Sequence, residues 1–125
     1  MKTLKVGIAS YEEMKAMTLA IARGQRKLAP REPRIWFPST ESFARVLSAG
    51  NRDLLRVIAE KAPGSLEELA QLTGRKKPNL SRTLKTMANY GLVELQRGLR
   101  GRIAPKVVHD RIALELPLVR GEDAA

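Results

Sequence analysis

Cysteine is absent from this 125-residue chain, which excludes disulfide frameworks, thiolate metal sites, thiol redox switches and cysteine nucleophiles. Histidine is nearly absent too: only His109 occurs, so a zinc site would need several carboxylates beside it, and no His/Asp/Glu cluster stands at ligand spacing. Neither a metal nor another cofactor is expected. Long apolar runs are missing, none approaching the roughly 18 residues of a spanning helix. The opening Met1-Lys2-Thr3-Leu4-Lys5-Val6 carries no signal-peptide apolar stretch. A cytoplasmic, soluble protein with no membrane partner is the expectation. No nucleophile, base and orienting group can be named together, so catalysis is not expected. The pairs Glu12-Glu13 and Glu67-Glu68 fall on helix first turns, where they complement the helix dipole. Aromatics are few, one Trp, two Tyr and two Phe, and acids are outnumbered.

That imbalance, 13 acids against 23 bases for a formal charge of +10, speaks to partners rather than to fold. Its placement is uneven. From Gly74 to Lys106 there are nine basic residues against one acid, Glu94, while the rest of the chain is nearly balanced.

The pattern along the chain is mixed. Residues 3–9 alternate Leu4, Val6 and Ile8 with Thr3, Lys5 and Gly7, the period of a half-buried strand. Ser10 and Glu13 form a capping box that opens a helix to about Arg23, with Gly24 as its stop. Residues 25–34 hold two prolines and five charges and read as a flexible joint. Ile35-Trp36-Phe37 reads as a short strand or extended segment ended by Pro38, with Trp36 and Phe37 in the core or, as the alternative, at an interface, and Ser39 or Thr40 caps a helix carrying Phe43, Val46 and Leu47. Asn51 is expected to cap a helix with Leu54, Leu55 and Ile58 on one stripe, ended by Pro63-Gly64. Ser65 and Glu68 make a second capping box. Gly74 supplies a left-handed turn residue, Pro78 suits the first position of the next helix, and Gly91 ends it. "LVELQRGLRGRIAPKVV" reads as two strands around a turn with Gly98 and Gly101, and His109-Asp110-Arg111 as a turn between strands. "RIALELPL" reads as a last strand burying Ile112, Leu114, Leu116 and Leu118. The tail from Gly121 on is expected to be disordered.

Two helices that cross steeply through a tight turn need a small residue at the contact, a glycine in the turn and an apolar anchor in the second helix. Ala70, Gly74 and Leu80 fill those roles. With "NLSRTLKTMANYGLVEL" and the basic, glycine-containing hairpin after it, residues 52–106 resemble the winged helix-turn-helix of MarR- and ArsR-like prokaryotic regulators. That resemblance implies an α+β chain: an N-terminal strand-helix extension (1–50) for dimerisation or partner binding, a winged helix-turn-helix (51–118) that includes the C-terminal strand, and a disordered tail (119–125). The recognition helix would span about 78–90 and the wing 96–103.

On a helical wheel Leu80, Leu84 and Met87 gather on one side, and Asn79, Arg82, Thr86 and Asn89 lie opposite, with no carboxylate among them. The second helix of such a motif enters the major groove with its N-terminal residues at base edges. Arg82 suits guanine and Asn79 suits adenine. Ser81, Thr83 and Lys85 suit phosphates, as do Arg75, Lys76 and Lys77 at the positive helix end. Arg97, Arg100 and Arg102 crowd a hairpin narrow enough to approach the adjacent groove.

The expected function is therefore a sequence-specific, double-stranded-DNA-binding transcription regulator, a repressor or autoregulator, acting as a homodimer. The whole chain, including "PRIWFPSTESFARVLS" and "DRIALEL", is also similar to short prokaryotic DNA-binding proteins, some encoded beside small toxin-like genes, which implies an antitoxin-like alternative with a co-encoded toxin-like protein as partner. It differs from MarR-like proteins in beginning with a strand and lacking long dimer helices, and from metal-sensing ArsR-like ones in lacking cysteine. Structured RNA is a third candidate ligand, since charge alone does not separate A-form from B-form duplexes.

Overall fold

Alternation in the first residues forms β1 (Lys2–Ile8), whose Leu4 and Val6 are buried. The structure, a computed structural model, describes residues 2–26, 33 and 35–119, so the expected joint at 25–34 and the disordered tail lie largely outside the described residues. Ser10 and Glu13 exchange both capping-box bonds, 2.9 Å and 3.2 Å, and start α1 (Tyr11–Ala22). β2 (Ile35–Phe37) then returns to pair in parallel with β1. This is a strand-helix-strand unit, the connection parallel strands require.

A series of short helices and a hairpin comes next. Ser39 caps α2 (Thr40–Val46) by accepting the Ser42 N–H at 3.0 Å. Ser48, not Asn51, caps α3 (Ala49–Lys61), accepting the Asn51 N–H at 3.2 Å. Asn51 is thus inside the first turn, and its amide instead donates to the Val46 carbonyl at 3.0 Å, tying α2 to α3. Then come α4 (Leu66–Thr73), α5 (Lys77–Asn89), β3 (Glu94–Arg97), a single 3-10 turn (Leu99–Gly101) and β4 (Ile103–Lys106), antiparallel to β3. The second capping box is only half formed: Ser65 accepts the Glu68 N–H at 3.1 Å, but the Glu68 carboxylate takes the Gly64 N–H at 2.9 Å.

The last strand, β5 (His109–Glu115), corrects the expectation most. His109-Asp110-Arg111 is the start of this strand rather than a turn, because it pairs in parallel with β1 from Lys2↔His109 to Gly7↔Glu115, with one bulge at Asp110. The sheet order is β2-β1-β5. The strand read as part of the second unit therefore belongs to the sheet built by the first residues. Nor is its apolar face sealed: Ile112 is half-buried, while Leu114, Leu116 and Leu118 are exposed, at 38%, 48% and 92%.

Both halves share one core, in which Leu4, Val6 and Phe37 pack with Leu54, Ile58, Leu69, Leu80, Leu84 and Met87. Phe37 is completely buried and joins them: its ring stacks on Tyr90, centroids 4.0 Å apart and 12° from parallel, and meets Phe43 edge-on at 5.2 Å. Trp36, on the opposite sheet face, is only half-buried and lies over Gly7, where a Cβ would come within 2.5 Å of the indole. Only glycine fits there. Among the described residues no helix is long and apolar enough to cross a membrane.

Ala62 ends α3 in the left-handed region, φ 46° and ψ 58°, because Pro63 bars it from the helical region. An L-side chain there costs about 1 kcal/mol, which glycine avoids at some cost in unfolded-chain entropy. Ala62→Gly is expected to stabilise the fold by about 0.5 kcal/mol and raise Tm by about 2–3 °C in thermal unfolding.

Candidate nucleic-acid interface

Gly74 ends α4 in the left-handed region, φ 75° and ψ 3°, and its N–H closes the helix on the Ala70 carbonyl at 2.8 Å. Thr73 fixes the turn from both sides, its hydroxyl donating to the Leu69 carbonyl at 2.8 Å and accepting the Arg75 N–H at 3.2 Å. α5 begins one residue before Pro78, with Lys76 in the cap position and no side-chain cap bond. The missing proline N–H costs nothing in a first turn. Leu80, Leu84 and Met87 are buried, so the opposite face is turned outward by packing alone. On that face Asn79, Arg82, Lys85, Thr86 and Asn89 are all exposed, and Ser81 and Thr83, half-buried, lie at its flanks.

The ten candidate residues divide into two groups. Among the described residues Lys76, Arg82, Lys85, Arg97, Arg100 and Arg102 form no ion pair or side-chain hydrogen bond. Asn79 and Ser81 likewise keep their polar groups unpaired. Two are engaged within the fold. The Arg75 guanidinium donates to Asn51 Oδ1 at 3.1 Å, which ties the α4–α5 turn to the start of α3. Lys77 pairs with Glu67, and that ammonium holds the Glu67 carboxyl below the usual carboxylate range. The sequence did not reveal these two restraints, because Asn51 and Glu67 meet their partners across helices.

The hairpin carries the second cationic feature. Gly98 N–H donates to the Arg102 carbonyl at 2.7 Å, closing the loop between β3 and β4. Arg100 sits at its tip with φ 60° and ψ 29°, in the left-handed region that favours glycine. Beside it Leu99 is 88% exposed, an apolar tip residue that the charge pattern alone hid. A cleft of about 260 Å³, lined by Leu66, Glu67, Lys77, Arg100, Arg102 and Ile103, brings the hairpin tip beside the first turn of α5. Helix face and hairpin thus adjoin one another.

The family model described as HVO_A0114 matches residues 46–114. The chain belongs to the HVO_A0114 family. No curated protein and no solved structure matches it. The HVO_A0114 match runs from the end of α2 through α5 and the hairpin to β5, so all ten candidate residues fall inside it. The whole strand-helix-strand unit, β1 to β2, precedes it.

The Glu67–Lys77 pair gives a test specific to this surface. Glu67 is exposed beside Lys77, so its carboxylate competes with any phosphate for that ammonium. Glu67→Gln is expected to tighten duplex binding by about threefold and to steepen its salt dependence by about one unit, as one more cation becomes available. Anisotropy titrations at several salt concentrations would read both.

Proposed function

We propose that this protein is a sequence-specific regulator that binds double-stranded DNA through a winged helix-turn-helix made of α3, α4, α5 and the β3–β4 hairpin. α5 lies in the major groove and the hairpin on the adjacent groove, in a homodimer that brings two such units to a pseudo-palindromic site. The observation that carries this is the outward face of α5: Asn79, Arg82 and Lys85 unpaired and unaccompanied by a carboxylate, beside a hairpin with three unpaired arginines.

Electrostatics and geometry divide the labour. Lys76, Lys85, Arg97, Arg100 and Arg102 neutralise backbone phosphates and supply affinity without sequence information. Arg82 and Asn79 meet base edges, Arg82 with the bidentate geometry that fits guanine and Asn79 with that for adenine. Arg75 acts indirectly by holding the turn that aims α5, through its bond to Asn51.

Arg82→Ala is expected to erase the preference for a duplex from the gene's own upstream region over random duplex, a loss of about 1–3 kcal/mol in discrimination. Fluorescence anisotropy on both duplexes, with duplex RNA as competitor, measures it. Unchanged discrimination in the variant, or equal competition by A-form RNA, would refute base reading by this helix.

A further inference from the structure

β5 is an edge strand: it pairs with β1 on one side, and among the described residues no backbone group bonds its other side. Such an edge is a template for another strand, and proteins that leave it unused usually block it with a proline, a bulge or an inward-pointing charge. The bulge at Asp110 lies at the start of the strand, and none of these devices interrupts residues 111–115. Beside the edge, on the side where Ile112 and Leu114 point, runs a groove of about 820 Å³ in which Phe43, Leu55, Ile112 and Leu114 form an apolar floor, with Arg52 and Arg56 also lining it. Leu114 is left exposed along it.

We propose that the occupant is a second copy of this chain, pairing β5 with β5 in antiparallel fashion about a two-fold axis through Ala113. The strand's own sequence selects both the partner and the register. Opposed residues in an antiparallel pair share a face, so registers that set Ile112 against Ala113 would turn apolar side chains against polar ones. Of the registers that preserve the face, centring on Ile112 opposes Asp110 to Leu114, and centring on Leu114 opposes Ala113 to Glu115. Centring on Ala113 opposes Arg111 to Glu115 twice and Ile112 to Leu114 twice, and only Asp110, at the bulge, faces Leu116 past the end of the strand. Across residues 111–115, charges and aliphatics are both satisfied.

The second face agrees. Lys5, Ala113, Arg111 and Glu115 share the side away from the core, and Lys5 already lies 3.9 Å from Glu115. The second copy's arginine extends that pair into a ladder across the axis. On the core side the paired Ile112 and Leu114 side chains continue the apolar floor of both grooves. The product is a continuous six-stranded sheet, with the two α5 helices related by the axis.

The interface is tested without nucleic acid, so its failure is separate from failure of the DNA-binding proposal. Because the chain has no cysteine, Ala113→Cys places a single thiol beside the axis. Its oxidation is expected to yield a covalent dimer, while Gln71→Cys on the exposed side of α4 yields none. In light scattering at micromolar concentration the wild type is expected at twice the 13.9 kDa chain mass. Arg111→Glu should weaken the dimer about tenfold, and combining it with Glu115→Arg should restore part of that loss, the remainder reflecting the new arginine beside Lys5. A monomeric wild type, a dimer indifferent to Arg111→Glu, a double variant that does not recover, or Ala113→Cys that does not cross-link would each overturn the proposal.

Discussion

Phe37→Ala is expected to cost about 3–5 kcal/mol of folding stability in urea denaturation, the range for removing a fully buried aromatic ring. Against a typical total of about 5–15 kcal/mol, that leaves a protein close to its unfolding threshold. The size follows from position. Phe37 is the last residue of β2, is completely buried, and contacts Tyr90 face to face and Phe43 edge to face. Tyr90 is the C-terminal cap of α5. The ring therefore joins the parallel sheet to the end of the helix proposed to read DNA. Its removal should loosen that end, so that hydrogen exchange at Ala88, Asn89 and Tyr90 accelerates more than at Leu80. A loss below about 1 kcal/mol would mean that the two halves do not share the core through this residue.

Duplex affinity is expected to fall by about five-hundredfold for each protomer's surface between about 50 and 200 mM monovalent salt. Five cations assigned to phosphates, Lys76, Lys85, Arg97, Arg100 and Arg102, form no ion pair among the described residues. If each neutralises one phosphate, the slope of log K against log salt is about −4.5 per protomer. Arg75 and Lys77 add little, being engaged with Asn51 and Glu67. Replacing Arg97, Arg100 and Arg102 together by alanine should reduce the slope by about three units and replacing Lys85 alone by about one, whereas Arg82→Ala should leave it nearly unchanged. A slope of about −1 in the wild type would mean that this surface does not lie along a phosphate backbone.

Legibility in the sequence divides by distance along the chain. The Ser10–Glu13 box, the left-handed Gly74, the stop at Gly91 and the buried stripe Leu80, Leu84 and Met87 all depend on residues within one or two turns, and each is legible. The outward polarity of α5 follows from that stripe. The cap of α3 is ambiguous in sequence because Ser48 and Asn51 are both good caps, and only the Asn51 amide's bond to Val46 separates them. His109-Asp110-Arg111 resembles a turn in composition, yet forms a strand because β1, at the other end of the chain, offers it a parallel edge. No local pattern encodes that pairing. The same non-local sheet explains why Leu114 and Leu116 are exposed: alternation predicts a buried face only where something lies opposite it.

The most direct test of DNA binding by α5 and the hairpin is the set of backbone amide shifts on titrating a 15N-labelled sample with duplex DNA. The expected result is that the largest shifts cluster on Lys76, Asn79, Arg82 and Lys85 and on the hairpin from Arg97 to Arg102, with β1 and α1 unmoved. Shifts concentrated on α1 or β5, or none at all at saturating duplex, would contradict the central claim that α5 and the hairpin form a DNA-binding surface.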